Sequence, residues 1–255
     1  MRRALVVLLL VASTAHADPW YRDRRRLTHV AITLAGGVFF AATETTFKPD
    51  LAPTTCKWCE PPGFDASVRN ALKWRITSGA DQLSALTGFV LTPTLELGMV
   101  ALTSIELPDR SWARLIDDTI PILETEALAE TVNQVTKFWV ARSRPFAHFT
   151  QAPFDIDNNV SFFSGHTTLC FAVTVSAGLV AHARHYAVEP YIWATGFTLA
   201  AATGYLRIAA DKHYLSDVLV GAVVGAGAGL AVPQLTIHHV TVVPTQNGIA
   251  LAGGW

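Results

Sequence analysis

Charged residues are scarce in this chain of 255 residues. They make up 15% of it, against roughly a quarter in an ordinary soluble domain, while hydrophobic residues make up 51%. This composition indicates a membrane-associated or unusually apolar helical protein. The 19 Lys and Arg and the 20 Asp and Glu residues give a formal net charge of −1. Because no excess of basic charge exists to neutralise a phosphate backbone, no nucleic-acid partner is predicted.

Cysteine is also scarce, with 3 residues, too few for a disulfide-dense scaffold. Cys56 and Cys59 are spaced as Cys-x-x-Cys, and no second pair exists in the sequence to complete a zinc site. In an oxidising compartment a local disulfide is favoured over a redox-active pair, because no βαβ pattern surrounds the two residues. Cys170 lies in an apolar run and is predicted to be a buried packing residue.

The sequence contains no Walker loop, no glycine-rich dinucleotide turn and no cluster of carboxylates with metal-ligand spacing. No cofactor and no metal site is therefore predicted. Asp155 and Asp157 could serve as Mg²⁺ ligands, but on a polar loop they are interpreted as solvated surface charges.

The N-terminus has the layout of a secretory signal peptide. Met1-Arg2-Arg3 is basic, the run from Ala4 to Ala12 is apolar, and Ala15-His16-Ala17 is a small-x-small site, so cleavage is predicted after Ala17. An uncleaved anchor is the alternative, although the apolar run is shorter than the roughly 20 residues of a spanning helix. Both interpretations predict an exported protein, in the periplasm or the cell membrane.

Several apolar stretches have helical length and are separated by proline-rich breakers, which predicts an all-α bundle of about six helices with its active site at one end. The stretches are Leu27 to Thr43, Gln82 to Ser104, Trp112 to Thr136, Gly165 to Ala183, Tyr191 to Leu206 and Asp217 to Val232. Pro145 to Phe163 is a long linker without helical periodicity, and such loops are often functional.

The C-terminal end has no Asp, Glu, Lys or Arg from Val218 onward and alternates around an Asn-Gly turn, which predicts a small β-hairpin. The predicted organisation is a signal peptide (1–17), N-terminal helices with the Cys-x-x-Cys loop (18–110), a catalytic core (111–235) and the hairpin (236–255).

Composition alone leaves open whether the helices span a bilayer. One predicted helix contains Asp117, Asp118, Glu124, Glu126 and Glu130, which are expensive in hydrocarbon, so it is not expected to face lipid. The other stretches are apolar enough to cross a membrane, but several are shorter than a full span.

The first cluster of chemically useful residues is Lys137-x6-Arg144-Pro145, near the predicted end of a helix. It supplies two cations for an anion, or it is the basic flank of a membrane helix.

The second cluster is Ser164-Gly165-His166, at the start of an apolar helix. Free backbone N–H groups and the positive end of the helix dipole can hold a phosphate there. Plain N-capping by Ser164 is the alternative.

The third cluster is Arg207-x5-His213-x3-Asp217. Asp217 stands four residues after His213, so its carboxylate could accept the Nδ1–H of the imidazole and leave Nε2 to attack an electrophile. A structural His–Asp hydrogen bond is the alternative.

Taken together, the clusters form a complete phosphoryl-transfer site without metal. In their order and spacing they resemble the three signature motifs of the type 2 phosphatidic acid phosphatase and vanadium haloperoxidase superfamily. Phe163 stands where that family usually has proline, which bears on the rigidity of the turn and not on its donors. Residues 1 to 110 and the terminal hairpin are not explained by the resemblance.

The resemblance implies a role for each motif residue. Lys137, Arg144 and Arg207 would bind phosphate, together with the backbone at Ser164 and Gly165. His213 would attack phosphorus to form a phosphohistidine, oriented by Asp217. His166 would protonate the departing alkoxide and then activate water. Arg142 and Lys212 lie outside the pattern and are interpreted as auxiliary surface charges.

The function predicted from the sequence is a metal-independent phosphatase of phosphate monoesters or pyrophosphate, acting on lipids such as phosphatidic acid, with the membrane as its partner. A soluble-substrate acid phosphatase, a vanadate-dependent haloperoxidase and a non-enzymatic relic are the alternatives. Because two helices separate the second motif from the third, all three clusters are expected at one end of the bundle, facing outward. Two histidines that must hold opposite proton states predict a bell-shaped pH profile.

Overall fold

The computed structural model of the chain describes residues 20–106, 112–151, 153–237, 241–245 and 248–252. The predicted signal peptide, residues 1–17, lies outside them. The described chain is mainly helical, which confirms the all-α class predicted from the sequence.

The N-terminal half contains five α-helices and two π-helical segments. A 3-10 turn at Trp20–Arg22 precedes α1, whose first turn is capped by the Asp23 carboxylate, the acceptor of the Arg25 N–H at 2.8 Å. The helices are α1 (Arg24–Ala41), α2 (Lys48–Leu51), α3 (Gly63–Leu72), α4 (Thr77–Ala85) and α5 (Thr92–Glu106), and the π-helical segments are Ala42–Thr46 and Leu86–Leu91.

The second half contains five more α-helices. They are α6 (Trp112–Val140), α7 (Pro145–Thr150), α8 (Gly165–Ala183), α9 (Glu189–Ala209) and α10 (Leu215–Ile237). Pro145 and Pro190 stand in the first turns of α7 and α9, where the missing N–H of proline costs no helical hydrogen bond.

Two short strands follow α10. β1 (Thr241–Thr245) pairs antiparallel with β2 (Gly248–Ala252), so that Thr241 lies opposite Ala252. The predicted hairpin began at 236, but α10 runs to Ile237. Residues 246 and 247 of the predicted turn lie outside the described residues.

The linker predicted without helical periodicity from Pro145 to Phe163 begins with the six-residue helix α7, so that prediction is wrong for its first part. The proline-rich residues 52–62 contain no helix and separate α2 from α3, as expected of a breaker. Short helices of four to ten residues leave too few turns for a hydrophobic period to stand out in the sequence.

The core of the bundle is built around α8, whose Leu169, Val173, Ala177 and Val180 are buried with Val100, Ile122 and Ile192 of neighbouring helices. Helix α10 packs closely against α8 through Gly221, Gly225 and Gly229. A Cβ on Gly221 would lie 2.7 Å from the Ser164 carbonyl oxygen, and one on Gly229 would lie 2.7 Å from the Val175 Cβ. Glycine at this four-residue spacing therefore allows the two backbones to touch.

Four segments of the described residues are long and apolar enough, by length and composition, to cross a membrane. They are Arg24–Thr46, Thr77–Glu106, Gly165–Ala183 and Leu215–Ile237. The acidic helix α6 is not among them, as its carboxylates predict. The chain thus has the helices of a membrane protein.

Cys56 and Cys59 form a disulfide with a Cα–Cα distance of 5.3 Å, as predicted. Cys170 is a free, buried cysteine, as predicted.

Candidate active site

The three sequence motifs converge on one cavity of about 350 Å³ at one end of the bundle. Arg144 of the first motif, His166 of the second and Arg207 of the third line it. The rest of its wall consists of Glu44, Lys48, Asp81, Gln82, Ala85, Asp157 and Lys212. The predicted convergence of the motifs is therefore observed.

His213 is buried, with 1% of its surface exposed, and its Nδ1 atom lies 2.8 Å from the carbonyl oxygen of Ser161. Asp217 Oδ2 lies 3.7 Å from the same nitrogen, beyond hydrogen-bond distance. The predicted direct hydrogen bond from His213 to Asp217 is thus replaced by a bond to the backbone. The reason is local: α10 begins at Leu215, so the two residues do not lie on successive turns of one helix.

Asp217 instead ties together the segments around His213. Its carboxylate accepts hydrogen bonds from Ser161 Oγ at 2.6 Å and from the Tyr214 N–H at 2.9 Å. The second of these bonds caps the first turn of α10 in the manner of a capping box. Asp217 also accepts from Arg142 Nη1. It therefore fixes the residue whose carbonyl holds His213.

Arg142 is buried with 1% exposure, so its interpretation as a surface charge is wrong. Its Nη2 atom lies 2.7 Å from Asp65 Oδ2, and its Nη1 binds Ser216 Oγ at 2.7 Å in addition to Asp217. A buried guanidinium is tolerated here because two carboxylates neutralise it.

Helix α3, which the sequence did not predict, holds the third motif in place. Asp65 and Arg69 stand four residues apart on it, and the Asp65 carboxylate accepts the Ser216 N–H at 2.9 Å. Arg69 forms two hydrogen bonds to Asp211, at 2.6 and 2.7 Å. Both ends of the segment that carries His213 are thus anchored to α3. The four-residue spacing of Asp65 and Arg69 could have indicated one face of a helix. Their partners Asp211 and Ser216 lie more than 140 residues along the chain, so the sequence does not indicate the contacts.

Arg144 and Arg207 are both buried, and each guanidinium has an Nε without a hydrogen-bond partner among the described residues. Arg207 Nη1 is held by Asp81 at 2.6 Å and by Ser84 at 2.9 Å. Arg144 Nη1 lies 3.4 Å from the Lys212 carbonyl oxygen. A buried donor without a partner is costly, so these two Nε–H groups are suited to donate hydrogen bonds to the oxygens of an anion.

The second motif forms the N-terminus of α8, with Ser164 as the N-cap residue. The Ser164 N–H donates to the backbone carbonyl of Asp217 at 3.1 Å, which joins the second motif to the third. Phe163, in the place of the family's proline, is buried, and its carbonyl accepts a hydrogen bond from Asn133 Nδ2 at 2.7 Å. The turn is thus fixed by Asn133. The Ser164 side chain does not cap the helix.

Gly165 provides the close approach between this turn and α6. A Cβ at that position would lie 3.0 Å from Asn133 Oδ1, 3.1 Å from Glu130 Oε2 and 3.2 Å from Lys137 Nζ. The structure therefore brings Lys137 of the first motif next to the N-terminus of α8, where the helix dipole and the ammonium charge would both attract an anion.

The His166 ring lines the cavity and contacts the Phe89 ring, with 4.2 Å between the ring centroids. Phe89 belongs to the π-helical segment between α4 and α5 and is half exposed. The histidine is thus placed between the cationic cavity and an apolar side chain.

Burial lowers the pKa of His213 well below its usual value of 6.5, and the positive charges of Arg144, Arg207 and Lys137 lower the pKa further. The imidazole is therefore neutral near pH 7 and keeps the lone pair on Nε2 that a nucleophile needs.

Lys48 and Asp157 form an ion pair of 2.8 Å at the cavity wall, and Lys48 also binds Glu44. Burial raises the pKa of Asp157, but Arg144 and Lys48 outweigh it and hold that pKa below its usual value. Asp157 and Lys212, which the sequence suggested to be surface charges, thus line the cavity, although both remain partly exposed.

Residues 118–239 match the family model of the PAP2 superfamily. Over 69 residues the chain is 38% identical to the lipid A 1-phosphatase of Porphyromonas gingivalis. That match covers 27% of this chain and 15% of the relative's length.

Solved structures resemble the chain over a larger part of its length. The transmembrane PAP2 type phosphatidylglycerolphosphate phosphatase from Bacillus subtilis matches with a TM-score of 0.50 and 18% identity, over 81% of this chain and 94% of that one. Aquifex aeolicus LpxE matches with a TM-score of 0.44 and 22% identity, over 66% of this chain and 91% of that one. The first likeness shows a shared helical fold.

Proposed function

We propose that this chain, whose residues 118–239 match the PAP2 superfamily, is a metal-independent phosphatase of lipid phosphate monoesters or pyrophosphates, with phosphatidic acid as a representative substrate. One observation carries the proposal. Two buried arginines with Nε atoms that have no partner among the described residues line one cavity together with His166 in the first turn of α8. His213, which the fold holds in its neutral form, belongs to the same motif as Arg207. This set of groups suits a phosphate and its transfer.

Phosphate binding is the first step. Arg144 and Arg207 donate to its non-bridging oxygens, and Lys137 adds a third positive charge beside Gly165. The backbone N–H groups in the first turn of α8 have no helical partner and complete the cradle. These donors stabilise the additional charge that develops on the equatorial oxygens during transfer.

Attack by His213 is the second step. Nε2 forms a bond to phosphorus while the ester P–O bond breaks and its electron pair goes to the leaving oxygen. Nδ1–H donates to the Ser161 carbonyl, which fixes the tautomer and spreads the positive charge of the phosphohistidine. His166 gives a proton to the leaving oxygen and becomes neutral.

Hydrolysis is the third step. Neutral His166 takes a proton from water, the hydroxide oxygen attacks phosphorus, and the P–N bond breaks with its electron pair returning to His213. Inorganic phosphate leaves, and both histidines are back in their starting protonation states.

A lipid substrate is supported by the position of the cavity. Glu44, Gln82 and His166 line it, and they come from three different segments that can cross a membrane. The half-exposed Phe89 contacts the His166 ring and belongs to a second of these segments, Thr77–Glu106. A phosphate can therefore enter the cavity while an acyl chain stays against apolar helix surface.

An outward-facing site is supported by the disulfide. The Lys57 N–H donates to the Ala141 carbonyl at 2.9 Å, so the Cys56–Cys59 loop lies at the end of the bundle that carries Arg144. Disulfides persist in oxidising compartments. The active site would then face the periplasm.

The test is phosphate release from phosphatidic acid in detergent micelles and from p-nitrophenyl phosphate, both with EDTA. Wild type is compared with His213→Ala and with His182→Ala, a histidine that is 69% exposed and paired with Glu189. We expect activity in the wild type and in His182→Ala, and a loss of at least about 1,000-fold in His213→Ala. Loss of wild-type activity in EDTA, or an active His213→Ala enzyme, would overturn the mechanism.

A further inference from the structure

The loop closed by Cys56 and Cys59 is attached to the first motif through its backbone. The Lys57 N–H donates to the Ala141 carbonyl at 2.9 Å, and the Ser143 N–H donates to the Trp58 carbonyl at 3.0 Å. Trp58 and Arg142 therefore pair as neighbouring residues of a parallel bridge. Nothing in the proposed mechanism uses this loop.

The Trp58 side chain covers the buried guanidinium of Arg142. The Arg142 Cζ atom lies 3.8 Å from the centroid of the Trp58 ring and 4.3 Å from that of the Tyr214 ring. Trp58 also contacts Phe162, at 5.6 Å between ring centroids, and its indole N–H donates to the Glu60 carbonyl at 2.9 Å. The indole thus shields the guanidinium from water on the loop side.

Two short routes connect Arg142 to Ser161, whose carbonyl oxygen holds His213 in place. Its side chain binds Asp217, which accepts from Ser161 Oγ at 2.6 Å. Its carbonyl accepts the Ser161 N–H at 3.1 Å. The Ser161 carbonyl in turn holds His213 Nδ1 at 2.8 Å. A displacement of Arg142 therefore moves the acceptor of the His213 hydrogen bond.

We propose that Trp58 is a positioning residue for His213, acting through Arg142, Asp217 and Ser161, and that the Cys56–Cys59 disulfide keeps it in place. This inference rests on the proposed phosphatase function. Reduction by a dithiol breaks the S–S bond and forms two cysteine thiols, while the dithiol is oxidised to its own disulfide. The enzyme is then active with the loop closed and impaired with the loop open.

The disulfide is accessible to such a reagent. Cys59 is exposed and Cys56 is half-buried, and both lie in a loop without regular structure beyond the bridge at Trp58. The third cysteine, Cys170, is buried and unpaired, so it adds no second reducible bond among the described residues. An effect of dithiol on the rate is therefore assigned to the loop.

The expected effect is on turnover more than on binding, because the Trp58 ring packs on Arg142 and Phe162, and Arg142 leads to the hydrogen bonds that hold His213. A shift of about 1 Å in a reacting group costs on the order of 100-fold in rate. We therefore expect kcat to fall about 10- to 100-fold in Trp58→Ala, with KM nearly unchanged. Trp58→Phe keeps a ring over Arg142 and should restore most of the loss.

The pH profile distinguishes two explanations of a lower rate: a misplaced His213, or a smaller fraction of folded enzyme. Loosening the loop admits water to His213. The charged and titratable groups around this histidine are Arg144, Arg207, Lys137, His166 and Asp217, whose carboxylate lies 3.7 Å from Nδ1. Hydration raises the low pKa of His213, so the acidic limb of kcat/KM moves to higher pH. Fewer folded molecules would lower the rate and leave that limb in place.

The experiment uses the full-length protein in detergent micelles with p-nitrophenyl phosphate as the probe. Steady-state rates against pH are measured before and after treatment with a dithiol, with thiol titration to show complete reduction. The variants are Trp58→Ala, Trp58→Phe and the double variant Cys56→Ser/Cys59→Ser. Trp139→Ala, a tryptophan that is 75% exposed on α6, is the control.

The proposal requires that dithiol slows the wild type and shifts its acidic limb, and that the double variant is slow with and without dithiol. Trp139→Ala should behave as the wild type. Unchanged kcat and pH profile after full reduction of an active wild type would overturn this proposal alone. An oxidised wild type without phosphatase activity would overturn the proposed function and this inference with it.

Discussion

The Nδ1 atom of His213 lies 2.8 Å from the Ser161 carbonyl oxygen, and the Asp217 carboxylate binds the hydroxyl of that same serine at 2.6 Å. A backbone carbonyl cannot take the proton from the imidazole, so it fixes the tautomer without competing for the positive charge. The buried Asp217 carboxylate acts indirectly, because it binds Ser161 and the Ser161 carbonyl binds His213.

This arrangement predicts a graded response at Asp217. Asp217→Asn keeps one acceptor oxygen, in the place of the Oδ2 atom that binds Ser161 Oγ and the Tyr214 N–H, but loses the charge opposite Arg142, so kcat should fall about 10- to 100-fold. Ser161→Ala removes one of these hydrogen bonds and keeps the carbonyl that binds His213, so its loss should be smaller. Steady-state kinetics on both variants check the order. A Ser161→Ala enzyme weaker than Asp217→Asn would contradict it.

A second prediction concerns pH. Burial and the charges of Arg144, Arg207 and Lys137 lower the pKa of His213 below 6.5, and the neutral form is the nucleophile. Activity is therefore present above this lowered pKa and is lost as the pH falls through it. The acidic limb of kcat/KM should lie below pH 6.5, measured with two substrates whose phosphates ionise at different pH. A limb at or above pH 6.5 would show that His213 is more hydrated than the structure indicates.

A third prediction concerns the turn at Gly165. A Cβ there would press on Asn133, Glu130 and Lys137 at 3.0 to 3.2 Å, so Gly165→Ala should displace the ammonium from the phosphate site. We expect kcat/KM to fall at least about tenfold, as for a misplaced charged donor. Gly227→Ala on α10 is the matched control, because nothing lies within 4 Å of a Cβ at that position. Equal activities in the two variants would refute the role of the close approach.

A fourth prediction concerns the stability of the buried ion-pair network. Arg142→Ala leaves the carboxylates of Asp65 and Asp217 buried without their cation, which should lower the free energy of unfolding by about 3–5 kcal/mol. Lys57→Ala, an exposed neighbour in the disulfide loop, should change it by less than about 0.5 kcal/mol. Thermal unfolding in detergent compares the two. A small loss in Arg142→Ala would mean that the carboxylates become protonated instead.

The long helices and the grouping of the motifs could be predicted from the sequence because both are local patterns. The run Gly165 to Ala183 coincides with α8, and the spacing within each motif already identified the cations. The partners of those residues could not be predicted. Arg142 and Asp65 are 77 residues apart, and no local pattern connects them. A charged residue is rarely buried unless paired, so without its partner Arg142 looked like a surface charge.

His213 also shows where a local rule fails. The spacing to Asp217 is that of one helical turn, but the helix starts between the two residues, and the backbone before it turns away. The acceptor that replaces the carboxylate is a main-chain carbonyl, which has no residue type and therefore no signature in a sequence.

The cavity is lined by residues from two parts of the chain, one inside and one before the residues that match the superfamily. Arg144, His166 and Arg207 lie within the residues that match the superfamily, whereas Glu44, Gln82 and Ala85 precede them. Within the matched residues, a direct backbone hydrogen bond joins Ser164 to Asp217. The segment that carries His213 is also anchored by Asp65 and Arg69, which precede the matched residues and lie outside the cavity wall. Under the proposed function, substitutions at Glu44, Gln82 or Ala85 can therefore change which group fits beside the phosphate and leave the hydrogen bond that holds His213 in place.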